Sequence, residues 1–207
     1  MTSKTHKVYS VSFALIAGMI MYKNNITVVN YYLSLIILLL ISKQGALFPD
    51  VDHIWKNVKE KTTINWIINK LIHITGGKHR SWQTHSIDIW AIFMVITCFL
   101  PNYLYSNGVI DIVNKEVLSL VLIGFLSGWC SHLFSDMLTP EGVRLVCWSK
   151  LKLKFVPRAI GSIKFNTGGS WEEFNYKAMR IINIVIGIIS ILLPFIPNIT
   201  ILITPNM

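Results

Sequence analysis

The residues in this 207-residue chain that could do chemistry are histidines and aspartates placed where apolar runs end. The stretch Gly128 to Gly142, GWCSHLFSDMLTPEG, sets His132 four residues before Asp136. On a helix that spacing puts both on one face, a turn apart, where an imidazole and a carboxylate can hold one metal ion. The stretch Gly45 to His53, GALFPDVDH, brings Asp50, Asp52 and His53 to the end of the run YYLSLIILLLIS. A third stretch, HRSWQTHSID, supplies His79, Arg80, Thr84 and His85. Imidazole and carboxylate donors suit zinc, whose catalytic sites keep one position open for a water near pKa ~7. Arg80 is suited to clamp a phosphate.

The elements that must position these groups are apolar blocks at about 8–22, 29–47, 87–105, 117–134 and 181–203. The chain is 53% hydrophobic and 14% charged, against about 25% charged in an ordinary globular protein. Its mean hydropathy is +0.54. This predicts an all-α, polytopic membrane bundle of about five spans (four to five), a single unit over 1–207 with loops forming a metal site. The first block is the shortest and has no small-x-small cleavage site before Tyr22 and Lys23, so it is not read as a signal peptide.

The net charge of +9 would suggest nucleic acid on a soluble protein, but its distribution points elsewhere. Alternate segments between the blocks hold 17 of the 19 basic residues, which predicts an inner-membrane protein with the N-terminus and the metal site in the cytoplasm. No nucleic-acid partner is expected. All six histidines (His6, His53, His73, His79, His85 and His132) fall on that same side or at a helix end facing it. Cys98, Cys130 and Cys147 make no CxxC pair and read as small packing residues.

Between the blocks, TTINWIINKLIHIT predicts an interfacial helix at about 62–75, stopped by Gly76 and Gly77, with His73 a surface residue of it. A cytoplasmic loop covers about 135–180. In it, KLKLKF alternates with strand-like period two or forms a basic surface, and TGGSWEEF reads as a turn capping a helix. Glu172 or Glu173 of that segment is a weaker candidate ligand or base, Glu173 being the one carried forward. Most of the seven tryptophans lie in or near the cytoplasmic boundary and fit an aromatic belt. Two stripes of small residues each lead to a histidine: Gly124, Gly128, His132, Asp136, and His6, Ser10, Ala14, Gly18. Their shared end predicts that the first helix packs on the fourth and brings His6 to His132 and Asp136. P-loop, dinucleotide, HExxH and nucleophile-elbow motifs do not occur.

Taken in order, Thr5-His6, Gly45 to His53, His79-Arg80 with Thr84-His85-Ser86, and Ser131-His132-Leu133 through Asp136, Thr139, Gly142 and Val143 resemble the YdjM-type family of membrane-bound metal-dependent hydrolases. The resemblance covers roughly 5–145, with Ser81, Trp82 and Gln83 standing where the family has two residues. It implies a hydrolase distantly similar to zinc phospholipase C enzymes. The implied ligands of a divalent metal, zinc first, are His6, Asp50, His53, His85, His132 and Asp136, with His79 and Glu173 secondary. Asp52 is then ligand, orienting partner or general base, and Arg80 binds the substrate anion. The expected substrate is a phosphoester of a lipid or lipid-linked small molecule. The alternative is a non-catalytic, metal-stapled scaffold that binds a cytosolic regulatory partner.

Overall fold

A computed structural model describes residues 1–22, 28–52, 63–77, 80, 82–155, 159–160, 163–164 and 167–196. Among the described residues six α-helices carry the fold: α1 (Ser3–Tyr22), α2 (Val28–Leu47), α3 (Thr63–Ile74), α4 (Ile87–Ser106), α5 (Ile112–Met137) and α6 (Ser170–Leu192). The strands are two-residue pairs: β1 (Val143–Arg144) lies antiparallel to β2 (Lys152–Leu153), and β3 (Ala159–Ile160) to β4 (Ile163–Lys164).

Among the described residues, four segments are long and apolar enough to cross a membrane: Asn30–Asp52, Ile87–Ser106, Ile112–Met137 and Ser170–Phe195. The last starts well before the apolar block that announced it, because the amphipathic turn from Ser170 continues the same helix. The first block falls outside this set. Its helix, α1, buries Thr5, His6, Ser10 and Ser12 against the rest of the protein, and those polar residues lower its hydropathy. The large side chains of α4 and α6 face outward instead, among them Phe93, Ile96 and Phe99 on one and Ile181, Ile184 and Ile188 on the other. Such faces suit lipid, which asks no hydrophobic burial of them.

The helices run up and down, so the start of α1, the end of α2, the start of α4, the end of α5 and the start of α6 meet at one end. At the centre α2 lies against both α1 and α5. Close approach to α5 depends on glycine. A Cβ on Gly128 would strike the Ser42 carbonyl, and one on Gly45 would strike that of Phe125. The expected contact of α1 with α5 is present, but the small-residue stripes serve α2: Gly124 and Gly128 pack on Leu38, Ile41 and Ser42, and Gly18 packs on Leu35. Backbones approach most closely where no side chain intervenes, and the central helix has two neighbours to admit.

Pro49 ends α2, and Pro49–Asp52 continues as a 3-10 turn. Helix α3 follows within the expected bounds, with Gly76 at φ 79° as its stop. Asn69 of α3 donates to the Val51 carbonyl, while Trp66, Ile67, Leu71 and Ile74 form an exposed apolar face. The segment Thr167 to Phe174 is the helix-capping turn, with Gly168 at φ 78° donating its N–H to Glu172 at 2.7 Å. KLKLKF contributes only the two residues of β2 to a ladder. Trp129 departs from the aromatic belt: it is buried in the core with Leu126, Leu133 and Val143.

Gly128→Ala should lower the stability of the detergent-solubilised protein by about 1–3 kcal/mol, since the added methyl meets backbone. Gly187→Ala, whose methyl meets only Leu15 at 4.0 Å, should leave it within about 0.5 kcal/mol. Thermal unfolding of the two variants beside the parent checks this.

Candidate metal centre

His132 and Asp136 lie one turn apart on the last turns of α5, where the sequence spacing placed them, and both are fully buried. His132 Nε2 is 3.6 Å from Asp136 Oδ2. Its other nitrogen, Nδ1, is 2.7 Å from the Ala46 carbonyl near the end of α2. A carbonyl only accepts, so Nδ1 carries a proton and Nε2 is the nitrogen turned toward Asp136. The Gly128 contact with Ser42 and Ala46 brings α2 close enough for this bond.

His85 comes from the segment before α4. That segment is held in three places: Trp129 Nε1 donates to the Thr84 carbonyl at 2.9 Å, Arg144 N–H donates to the His85 carbonyl at 3.3 Å, and Ser86 bridges to Arg144. His85 Nδ1 lies 3.1 Å from Asp52 Oδ2, which also accepts from Thr84 Oγ1 at 2.9 Å. Nδ1 therefore donates, and His85 Nε2 faces His132 Nε2 at 3.3 Å and Asp136 Oδ2 at 3.8 Å. Burial holds the His85 imidazole below its ordinary pKa, against the opposing pull of the Asp52 hydrogen bond. It is neutral and able to ligate.

His6 comes from the first turns of α1, its ring stacked on that of His132 with centroids 3.7 Å apart. Its Nδ1 is 2.6 Å from Ser135 Oγ, and that hydroxyl donates to the His132 carbonyl at 2.9 Å. This pairing fixes the ring orientation of His6. His6 Nε2 is left toward Asp136 Oδ1, at 3.8 Å. Asp50 Oδ1, at the end of α2, lies 3.8 Å from His132 Nε2 and is a third exposed.

Two overlapping groups result, His6 with His132 and Asp136, and Asp50 with His85 and His132, each with one ligand atom per residue within 4.8 Å of the others. The inward atoms are imidazole nitrogens and carboxylate oxygens, with the Met1 ammonium and the Arg80 guanidinium beside Asp136 Oδ1. Adjacent ligand atoms of a tetrahedral zinc site are about 3.3 Å apart at Zn–N near 2.05 Å, and the separations here run from 3.3 to 3.8 Å. The residues fit a divalent ion. Nε2 of His132 has one lone pair and so serves one ion, while the two oxygens of Asp136 face different histidines and can bridge.

Arg80 closes one side. Its guanidinium reaches Asp136 Oδ1 at 3.4 Å and Glu141 Oε2 at 3.0 Å. Its φ of 58° is a conformation that a non-glycine residue rarely adopts. The Met1 amino nitrogen is 3.1 Å from Asp136 Oδ1.

Of the sequence candidates, His6, Asp50, His85, His132 and Asp136 come together, with Arg80 beside them. Asp52 stands behind His85 as an orienting partner. His53 and His79 lie outside the described residues. Glu173 is a correction: it is exposed, points away on α6 and pairs with Lys177 at 3.0 Å. The buried neighbour is Glu172, which accepts from Thr5 Oγ1 at 2.6 Å and Thr2 Oγ1 at 2.7 Å and so fastens α1 to α6. His73 is the surface residue expected, its Nδ1 3.0 Å from the Gly77 carbonyl. Sequence reasoning missed Ser135, Thr84 as a partner of Asp52, and the Ala46 carbonyl. Ser135 follows His132 by three residues and was the one readable signal.

The profile of the family described as YdjM inner membrane protein matches residues 1–197. The chain belongs to this family. No curated protein and no solved structure matches it. The family match and the apolar helices make it a membrane protein, and the residues that gather in this YdjM family member lie in all four segments that carried the resemblance.

Asp52→Asn should weaken divalent metal binding by about 10–100-fold without abolishing it, because the His85 tautomer loses its anchor while the ligands remain. Asp136→Ala should abolish it. Competition against a fluorescent chelator measures both.

Proposed function

We propose that this YdjM family protein is a metal-dependent hydrolase acting at the cytoplasmic face of the membrane on a phosphoester of a lipid or lipid-linked substrate. One observation carries the reading: three imidazoles, each fixed by its Nδ1 partner, turn Nε2 toward the Asp136 carboxylate. A divalent ion held there, zinc by its donor set, supplies the Lewis acidity that makes water a nucleophile near neutral pH.

The chain's own residues do the rest. His85, His132 and Asp136 are the innermost donors, and Asp50, on the exposed side, completes the set where water and substrate enter. Asp52 and Thr84 keep the His85 lone pair inward. Arg80 binds the substrate anion. Its partner Glu141 is 67% exposed, and so exposed a pair holds weakly, which lets a phosphate take the guanidinium over. Clustering of the basic residues at the segments around the site supports the cytoplasmic orientation.

Protein purified in detergent should retain a divalent metal, and His132→Ala should lose both the metal and at least about 100-fold of its phosphodiesterase rate on lipid substrates. Arg80→Ala should keep the metal and raise KM about tenfold, the loss of one charge-assisted contact. Folded, metal-free parent protein would sink the reading. A metal-loaded protein inert toward every phosphoester would favour the scaffold alternative. A cysteine at position 4 should react with a membrane-impermeant maleimide in inverted vesicles and not in right-side-out ones.

A further inference from the structure

On the side of α1 opposite His6 lies a cavity of about 550 Å³ between α1, α2 and α6. Lys4 and Lys7 of α1 and Lys43 of α2 converge on it, with Tyr176 of α6 as part of the wall. Val8, Val11 and Leu47 line the remainder. Residues 4, 7, 8 and 11 share one helical face, and His6 sits about half a turn round from it. None of the lining residues is acidic, and neither Lys7 nor Lys43 makes an ion pair among the described residues. Lys4 is held 4.2 Å over the Tyr176 ring, and Arg180 lies 5.9 Å from the same ring, which extends the basic rim.

Glu173 of α6 faces Lys4 from outside the cavity, but no carboxylate lines the cavity itself, so three lysines there leave a positive field that attracts an anion. The apolar residues decide what kind. Leu47 stands at the end of α2 and Lys43 one turn further in, while Val11 lies a turn beyond Lys7 along α1, so the deepest lining residue on α1 is apolar. A free anion has no use for that apolar lining, whereas an acyl chain below a phosphate does. We infer that this cavity binds the headgroup of an anionic phospholipid, with the phosphate among Lys4, Lys7 and Lys43 and the chain along Val8 and Val11. The site is separate from the metal centre and does not depend on the hydrolase reading.

The test is native mass spectrometry of the full chain released from mixed micelles containing phosphatidylglycerol or phosphatidylcholine, with inorganic phosphate as a third arm. Phosphatidylglycerol should be retained in preference to phosphatidylcholine. The exposed-side pair Lys7→Gln/Lys43→Gln should weaken retention by about thirty-fold, roughly fivefold per lysine. Lys150→Gln/Lys152→Gln, which removes two basic residues outside the cavity, should leave retention unchanged. Equal retention of phosphatidylcholine, or of phosphatidylglycerol by both pairs, overturns the inference. Millimolar phosphate displacing the lipid completely would make it a free-anion site and also overturn it. Metal content measured on the same samples should be identical for parent and Lys7→Gln/Lys43→Gln, which keeps this outcome apart from that of the metal centre.

Discussion

Lone pairs that face one another repel, and in a buried setting water is not there to relieve them. At the shared helix ends the Nε2 atoms of His85 and His132 stand 3.3 Å apart with the Asp136 carboxylate beside them. Each imidazole turns its Nδ1 to an outer partner: Ser135, Asp52 or the Ala46 carbonyl. Buried polar groups are costly unless they are paired, and positive charge already lies on one edge of this cluster: the Met1 ammonium and the Arg80 guanidinium both reach Asp136 Oδ1. A divalent ion serves all the donors at once.

The helix packing makes sense as support for that cluster. The Ala46 carbonyl reaches His132 because glycine at positions 45 and 128 lets α2 and α5 approach backbone to backbone. His6 reaches Ser135 because α1 lies on α5, and Glu172 holds the start of α1 by two threonine hydroxyls. The loop after α5 folds back so that Arg144, together with Trp129 of α5 itself, holds the His85 segment by its carbonyls. A helix shift of an ångström would break one of these outer bonds and free an imidazole to turn. Close packing without side chains between the helices is therefore a requirement of the site as much as of the bundle.

Much of this was legible in the sequence, and the limits follow from what spacing can report. His132 and Asp136 share a face by the pitch of a helix, so their pairing could be read directly. His6 could be brought to them because the small-residue stripe along its own helix points to the same end. Which helix those stripes contact was not legible: Gly124 and Gly128 offer a smooth face to any neighbour, and only the assembled bundle puts α2 there. The choice between Glu172 and Glu173 depends on rotation about α6 at its first turn, where apolar periodicity has barely begun. The role of Asp52 is not legible in the sequence for a related reason. In a 3-10 turn after a proline, Asp50 and Asp52 differ in direction, and only the position of His85 shows which of them lies behind an imidazole.

Helix α1 joins the parts. One of its faces carries Thr5, His6 and Ser10 inward to the cluster, and another carries Lys4, Lys7 and Val11 to the cavity between α2 and α6. This two-sidedness explains why the helix is too polar to count among the candidate spans although it is 20 residues long. A metal site at the mouth of a bundle needs donors that sit at the membrane boundary without charges lying in hydrocarbon, where each costs roughly 2.5–3.5 kcal/mol. Ending α2 at Pro49 does this for Asp50 and Asp52, and placing His132 and Asp136 in the last turns of α5 does it for them. The lysines of α1 meet the same boundary from the outside, where anionic headgroups lie. A helix that fixes its depth by headgroup contacts on one face also fixes the depth of His6 on the other, so the lipid surface and the donor cluster are held in register by the same few turns.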